Sequence, residues 1–257
     1  MKAAATRIVS LSPGATAMLF AAGAGDRVLG TAGFSVEPAA ARAIPRVGDS
    51  QGYDVERILA LRPQVIVAWG TGTNAAILQQ LRLSGIPVYS HHVARLSDMP
   101  ASIERLGQLA GTQQQAHSAA QALAARIAAL DKLRGTVVRH TVLVQIWDRP
   151  VYTVGGTQIL SDAIERCGLR NAYGELADAS PAVTVESVLA RDPWLVLAVA
   201  PSESVATEWL DRWRKLPTLQ AVRQDHLLAL SDQRFSRMGP AAIDATEALC
   251  ARVRALH

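Results

Sequence analysis

Two glutamates occupy the same place in a segment that the chain contains twice. The first copy, VERILALRPQVIVA, covers residues 55–68, and the second, VESVLARDPWLVLA, covers residues 185–198. Six of the 14 positions are identical, including the Glu at the second position, which is Glu56 in one copy and Glu186 in the other. Each Glu falls in the first turn of a predicted helix, where the helix dipole favours a carboxylate, and a carboxylate accepts a bidentate arginine. The repeat predicts two similar lobes that each present one Glu to a common partner.

Aromatic residues stand at or just beyond the ends of predicted strands in both halves of the chain. They are Phe34, Trp69, Trp147, Tyr152 and Phe235. In open α/β sheets, ligands bind beyond the carboxyl ends of the strands. Each ring taken alone is more typical of core or rim packing, but the recurrence of the pattern favours a large, flat, partly apolar ligand.

The motifs of the common enzyme classes are absent from the sequence. It contains no P-loop, no G-x-S-x-G and no H-E-x-x-H. The stretch GAGDRV at 23–28 resembles part of a dinucleotide fingerprint, but it ends a predicted helix instead of beginning one. His91 and His92 are adjacent, so on a strand they point to opposite faces and do not form one metal site. We therefore predict a binding protein without cofactor or metal, in which this His pair is a polar strand end.

Composition and charge exclude several classes of protein. The 257 residues are 49% hydrophobic and 19% charged, which is typical of a globular chain with one or two domains. The net charge of +4 comes from arginines scattered singly, a pattern that does not favour nucleic acid. No apolar run reaches the roughly 18 residues of a membrane span. The N-terminus lacks a signal-peptide core, which is consistent with a cytosolic protein or with a removed signal.

The order of predicted elements indicates the fold class. Short β-branched runs alternate with amphipathic stretches in both halves, which is typical of parallel sheets covered on both faces. From about Ser97 to Leu133 the pattern is helical only, and we expect Gly111 to divide it into a shorter helix and one of about 20 residues. We predict an α/β fold of two Rossmann-like lobes, each with a central, mostly parallel sheet, bridged by a long helix, with a ligand cleft between them. The predicted domains are an N-terminal lobe over 1–98, a helical backbone over 99–134 and a C-terminal lobe over 135–257.

Four segments resemble the helical-backbone class of periplasmic substrate-binding proteins of ABC importers, and within it the vitamin B12 binders. They are RIVSLSPGATAMLFAAGAGDRVLG, QGYDVERILALRPQVIVAW, QQLRLSGIPVY and SIERLGQLAGT. The resemblance implies a periplasmic monomer whose signal peptide has been removed. It also implies a corrinoid ligand such as cobalamin, and as partners an ABC importer permease and its ATPase. Relatives in this class bind ferric siderophores or haem.

The resemblance assigns roles to two pairs of residues. Glu56 and Glu186 match the surface glutamates that dock into arginine pockets of the permease; the alternative is that they only stabilise their helices. The spacing of Cys167 and Cys250 fits neither a metal site nor a redox motif, and by itself leaves buried thiols and a disulfide equally possible. The resemblance implies that they form a disulfide, which requires an oxidising compartment.

The ligand residues of the family carry over incompletely. Trp69 matches an aromatic residue of the B12 site, Arg237 matches a basic one, and Phe34 stands where the family has Tyr. By contrast, Ser50, Ser180 and Gln233 stand where the family pattern has Trp, Trp and Asp. We expect Trp147 and Tyr152 to replace the lost aromatic surface, with Phe235 as a further candidate.

Two other functions remain compatible with the sequence. The first keeps the class and changes the ligand. A ferric siderophore would favour arginines such as Arg149, Arg234 and Arg237, and haem would need His91, His92 or Tyr89 as axial ligand. The second is a cytosolic α/β enzyme with an unrecognised site, which would have neither the disulfide nor a signal peptide.

Overall fold

The chain forms two compact units of mixed α/β structure. The computed structural model describes residues 4–49, 51–70, 73–134, 140–231 and 233–256. The first unit comprises Met1–Val93, Ser97–Arg126 and Arg237–Ala242, and the second comprises Ala94–Leu96, Ile127–Ser236 and Ile243–His257. In the described part of the chain, no helix combines the length and apolar character that crossing a membrane requires.

Within the described residues, the first unit is built on a four-stranded parallel sheet. The six strands of the unit are β1 (Ile8–Ser10), β2 (Val28–Thr31), β3 (Gly48–Asp49), β4 (Gly52–Tyr53), β5 (Val65–Trp69) and β6 (Val88–His91). Its first helices are α1 (Pro13–Ala21), α2 (Val55–Ala60) and α3 (Ala75–Leu83). The sheet has the order β2-β1-β5-β6, while β3 and β4 form a separate antiparallel pair. The apolar run of β5 is buried up to Ala68, as a strand covered on both faces requires.

Two consecutive helices follow β6. They are α4 (Met99–Ala110) and α5 (Gln113–Arg134). Gly111 lies between them with φ of 74°, the left-handed conformation that commonly ends helices at glycine. The predicted break at Gly111 is therefore confirmed. Helix α5 belongs to the first unit up to Arg126 and to the second from Ile127. The predicted domain boundaries remain a prediction, and residue 135 lies outside the described residues.

The second unit, where described, also has a four-stranded parallel sheet. The strands of the unit are β7 (His140–Gln145), β8 (Val151–Tyr152), β9 (Leu169–Asn171), β10 (Ala182–Val183), β11 (Leu195–Val199) and β12 (Leu227–Leu230). Its helices are α6 (Ile159–Arg166), α7 (Val185–Arg191), α8 (Glu203–Arg214), α9 (Gln220–Arg223), α10 (Arg234–Arg237) and α11 (Ala241–Arg254). The last two helices include residues that belong to the first unit. Four of these six strands form the parallel sheet, in the order β12-β11-β7-β9. The other two, β8 and β10, form a separate antiparallel pair.

The two parallel sheets have the same strand order. Numbered along the chain, the strands of each lie in the order second, first, third, fourth. The duplicated segment supplies the third strand of each sheet and the helix before it, α2 with β5 and α7 with β11. The repeat in the sequence is thus a repeat in topology, and the prediction of two similar α/β lobes is confirmed.

The two cysteines form a disulfide within the second unit. Cys167, directly after α6, is bonded to Cys250 of α11, with 4.7 Å between the Cα atoms. The implied pairing is therefore confirmed. Because the bond closes a loop with a sequence separation of 83, it restricts the unfolded chain strongly, an effect of about 2–5 kcal/mol in comparable domains.

A close backbone approach fixes the segment that contains Arg237 against α1. Ser12 caps α1, with its hydroxyl accepting from the backbone N–H of Ala15 at 3.1 Å, and Gly14 lies in the first turn. A Cβ atom on Gly14 would collide with the carbonyl oxygen of Arg237 and would lie 2.8 Å from that of Met238. Only glycine allows these carbonyl groups so close to the helix.

We expect Gly14→Ala to destabilise the protein by about 1–3 kcal/mol, because the added methyl group forces the Arg237 segment away from α1. The measurement is urea denaturation. Gly52→Ala is the matched control, because a Cβ there meets nothing within 4 Å. Helical Gly→Ala changes otherwise stabilise by about 0.4–1 kcal/mol, so a Gly14→Ala protein as stable as the wild type would contradict the packing argument.

Candidate functional site

The two candidate tryptophans lie at or just beyond the carboxyl ends of central strands. In each sheet the strand order reverses between the first and third strands, β1 and β5 in one unit and β7 and β11 in the other. Trp69 is the last residue of β5, and Trp147 follows β7 by two residues. Ligands of open α/β sheets bind at such switch points. Each unit therefore has one tryptophan at the position where this fold binds ligands.

In the second unit, Trp147 and Tyr152 lie together on a tight hairpin. They form an antiparallel bridge, in which the N–H of Ile146 donates to the carbonyl of Tyr152 at 2.9 Å and the N–H of Tyr152 donates to that of Trp147 at 3.2 Å. Directly opposed residues of such a pair have their side chains on one face. Trp147 is 55% exposed. The structure thus brings together two aromatic residues that the sequence placed in the ligand set.

Helix α8 holds this hairpin in place. The ring of Trp209 meets that of Trp147 edge-on, with 6.4 Å between centroids. Trp213 Nε1 donates to Oε1 of the buried Gln145 at 2.7 Å, and Arg212 Nη1 donates to the carbonyl of Asp148 at 3.1 Å. Trp147 is therefore exposed but fixed, which lowers the entropy cost of binding to it. Sequence reasoning did not identify this support, because the contacts link residues more than 60 positions apart.

In the first unit, Phe34 lies on a strained and well-anchored loop. Its side chain is 74% exposed, and its φ of 61° is uncommon for a non-glycine residue. The next residue, Ser35, is fully buried, and its carbonyl accepts from Arg46 Nη2 at 2.9 Å. Arg42 Nε donates to the carbonyl of Val36 at 3.3 Å. Strain that is held in place in this way tends to occur at functional sites.

Arg237 is ion-paired within the first unit. Its Nη1 lies 2.8 Å from Oε1 of Glu37, three residues after Phe34, and the side chains are 20% and 35% exposed. The sequence predicted Arg237 as a ligand residue and did not predict Glu37. Trp69 is partly buried, and its backbone N–H donates to Thr73 Oγ1 at 3.1 Å.

Other residues from the sequence analysis are less accessible or are not described. Phe235 is 3% exposed, so its ring packs in the interior and we leave it out of the binding set proposed below. Ser180 is half-buried, with its backbone N–H donating to Asp178 Oδ1 at 3.0 Å. Ser50 lies outside the described residues.

The repeated glutamates lie at corresponding positions of two capped helices. Asp54 caps α2 by accepting from the N–H of Arg57 at 2.9 Å, and Thr184 caps α7 by accepting from the N–H of Ser187 at 3.2 Å. The Glu two residues after each cap is exposed to solvent.

Hydrogen bonds favour the ionised form of the Glu186 carboxyl group. The backbone N–H of Glu186 itself, and then the Thr184 hydroxyl, lower the pKa of the Glu186 carboxyl group. An ionised carboxylate in the first turn of a helix is a ready acceptor for a guanidinium group.

The repeated helices begin at the carboxyl edge of their own sheets. Tyr53, just before α2, donates its hydroxyl to the carbonyl of Leu11, which follows β1, at 2.7 Å. Burial, and then the Asp49 carboxylate, raise the pKa of Tyr53 to about 12, so the hydroxyl remains a donor. In the second unit, β10 leads into α7 and pairs with β8, which contains Tyr152. Within each unit, the exposed glutamate and the candidate aromatic residues therefore share one edge of the sheet.

Two of the three residues considered for metal or haem ligation, His91 and Tyr89, are placed unfavourably for it. His91 is 3% exposed, and its Nδ1 lies 2.9 Å from Ser102 Oγ. Burial, and then the neighbouring His92, lower the pKa of His91 to about 4. The neighbouring His92, by contrast, is exposed. Tyr89 lines a groove with Val65 and Pro87, which mark the amino ends of β5 and β6. Where the chain is described, no cluster of three metal-ligating side chains occurs.

Comparison with known proteins identifies consistent relatives. The profile of a family described as periplasmic binding protein matches residues 8–233. The chain is 29% identical over 244 residues to the vitamin B12-binding protein of Vibrio parahaemolyticus, covering 95% of this chain and 88% of the relative. The crystal structure of the periplasmic vitamin B12-binding protein BtuF of Vibrio cholerae superimposes with a TM-score of 0.88 at 27% identity over 98% of both chains. The periplasmic haem-binding protein BhuT, solved with two haems, gives 0.85 at 20% identity over 99% of this chain and 100% of the other, which is a likeness of fold alone.

We expect the stability of the protein to fall as pH decreases from about 6.5 to 4, by up to about 1.4 kcal/mol per pH unit from His91. Because the pKa of His91 is lowered in the folded protein, between pH 6.5 and 4 this residue is protonated in the unfolded chain and neutral in the folded one. The free energy of unfolding therefore has its full value, as far as His91 is concerned, above pH 6.5 and decreases as the pH falls toward 4. Urea denaturation at pH 7, 5.5 and 4.5 measures it.

His91→Asn, which keeps a polar atom near Ser102, should flatten this part of the pH profile, whereas His92→Asn at the exposed neighbour should not. An identical pH slope in the wild type and in His91→Asn would show that the buried imidazole does not carry the effect.

Proposed function

Because the chain belongs to the periplasmic binding protein family, we propose that it binds a corrinoid such as cobalamin and delivers it to the permease of an ABC importer. One observation carries this proposal: within each unit, an exposed first-turn glutamate and exposed or partly exposed aromatic residues share the carboxyl edge of a parallel sheet. Relatives named as vitamin B12-binding proteins supply the ligand class. In this proposal the protein acts in the periplasm as a monomer and performs no chemistry on its ligand.

In the proposed site, four aromatic side chains contact the macrocycle and its substituents. They are Phe34, Trp69, Trp147 and Tyr152. Large rings supply apolar area with little loss of conformational freedom, which suits a flat and rigid ligand. Arg237 and backbone groups hydrogen-bond the amide side chains of the corrin. The anchored loop of Phe34 and the ring contact of Trp147 with Trp209 support these roles, since the Phe34 backbone and the Trp147 ring are held before binding.

The charges near the site favour a neutral ligand over an anionic iron chelate. Arg237 is paired with Glu37 at 2.8 Å, and Arg149 Nε lies 3.1 Å from Asp148 Oδ2. A guanidinium group that is already paired with a carboxylate offers less to an anionic siderophore. Two of the three candidate axial ligands for haem are poorly placed for it, since His91 is buried and bonded to Ser102 and Tyr89 lies at a groove beside the amino ends of β5 and β6.

The glutamates Glu56 and Glu186 are proposed to dock with arginines of the permease. Their repetition on two units makes the contact bivalent, so that a modest affinity at each end gives a stable and oriented complex. Both carboxylates are exposed in the free protein. The ATPase of the importer is the further partner that such docking would stimulate.

Calorimetric titration tests the ligand. We expect the wild type to bind one cyanocobalamin with sub-micromolar affinity, and haem or a ferric siderophore more weakly. Trp69→Ala should weaken cyanocobalamin binding by about 1–3 kcal/mol, or roughly 5- to 150-fold, because a ring contact is lost.

The matched control is Leu83→Ala, which removes an apolar side chain that is 81% exposed on α3 and belongs to no proposed site. Absence of cyanocobalamin binding by the folded wild type would overturn the corrinoid proposal, and an unchanged affinity of Trp69→Ala would remove Trp69 from the site.

A double variant tests docking. Glu56→Ala combined with Glu186→Ala should leave ligand affinity nearly unchanged and abolish stimulation of the ATPase of the reconstituted importer, because both acceptors of arginine are removed. Glu203→Ala is the control, since Glu203 is also an exposed first-turn glutamate, on α8, and lies outside the repeat. Stimulation by the double variant at the wild-type level would refute the docking role.

A further inference from the structure

We propose that Glu37 sets the charge preference of the ligand site, so that the Glu37–Arg237 pair accepts primary amides and disfavours carboxylates. The inference rests on the proposed function and concerns a residue that the sequence resemblance does not assign. Glu37 Oε1 accepts from Arg237 Nη1 at 2.8 Å, and both side chains remain partly exposed. The pair can therefore meet a ligand while each member keeps the other in place.

The fold holds both partners of the pair. Glu37 lies in the same loop as Phe34, which Arg42 and Arg46 anchor through the backbone carbonyls of Val36 and Ser35. Arg237 belongs to the segment whose carbonyl groups pack against Gly14 of α1. Because both backbones are fixed independently of the ion pair, its geometry exists before the ligand arrives. A preformed pair loses little entropy when it binds.

The chemistry of the pair matches an amide. A primary amide has a carbonyl acceptor and two N–H donors, and a guanidinium with a carboxylate provides the complementary donors and acceptors. The two side chains are 20% and 35% exposed, so a ligand amide can approach the guanidinium and the carboxylate together. A ligand carboxylate would gain from Arg237 but would also face the like charge of Glu37, which is unfavourable in a partly desolvated site.

Two ligands that differ in one group test this role. The probes are cyanocobalamin and its monocarboxylates, made by hydrolysis of single side-chain amides and separated by position. The wild type should prefer cyanocobalamin over at least one monocarboxylate on the order of tenfold. Glu37→Gln, which keeps the shape and removes the charge, should abolish or invert that preference, chiefly by tighter binding of the monocarboxylate.

Glu104→Gln is the matched control, since it removes one carboxylate from α4 of the same unit and should leave the preference unchanged. Thermal unfolding checks that Glu37→Gln is folded. The double variant Glu37→Gln with Arg237→Gln should bind cyanocobalamin and its monocarboxylates weakly and without preference.

The outcomes separate the two proposals. If the wild type and Glu37→Gln both bind cyanocobalamin and discriminate equally against every monocarboxylate, the role of Glu37 is overturned and the corrinoid function stands. If the folded wild type binds none of these corrinoids, the proposed function is overturned, and the role of Glu37 falls with it.

Discussion

Each unit depends on one constraint, the parallel arrangement of its four-stranded sheet. Parallel strands have all their carboxyl ends at one edge, and the helix before each strand must begin at that edge. With the first and third strands adjacent at the centre, the loops that leave them diverge and leave a concave switch point. Trp69 and Trp147 stand there, and α2 and α7 begin at the same edge. The topology thus puts the proposed ligand contacts and the proposed docking glutamates at one edge of each sheet.

Exposed aromatic rings at this edge require support from the core. The ring of Trp147 rests on Trp209, while the buried Gln145 receives a hydrogen bond from Trp213. A buried amide without a partner would cost about 1–3 kcal/mol, so this bond both satisfies Gln145 and fixes the strand end from which the hairpin starts. In the first unit, arginine side chains bonded to the carbonyls of Ser35 and Val36 hold the Phe34 loop. The two units reach the same end by different contacts.

Much of this organisation is readable from local sequence patterns. Apolar runs and helical spacing predict the long strands and helices, and Gly111 predicts the break before α5. The short strand β9, Leu169–Asn171, carries no such pattern, because it has only three residues and one of them, Arg170, is charged. The burial of Phe235 is equally hidden, since a place after a strand does not determine which way a side chain points. The Glu37–Arg237 pair joins residues 200 positions apart, and only the fold brings them together. The disulfide needed the family resemblance, because the spacing of two cysteines does not determine their pairing.

The pairing of arginines with acids near the candidate site bears on ligand charge. The chain is basic overall, with a net charge of +4, yet Arg237 pairs with Glu37, and Asp148 pairs with both Arg149 and Arg212. A site built to attract an anion would gain by leaving guanidinium groups without nearby carboxylates, because every added acid weakens the potential that the anion experiences. A ligand rich in neutral amides needs hydrogen-bond donors and acceptors without net charge. Arginine–carboxylate pairs provide both donors and acceptors with less net charge than unpaired arginines, which fits the proposed corrinoid ligand better than an anionic chelate.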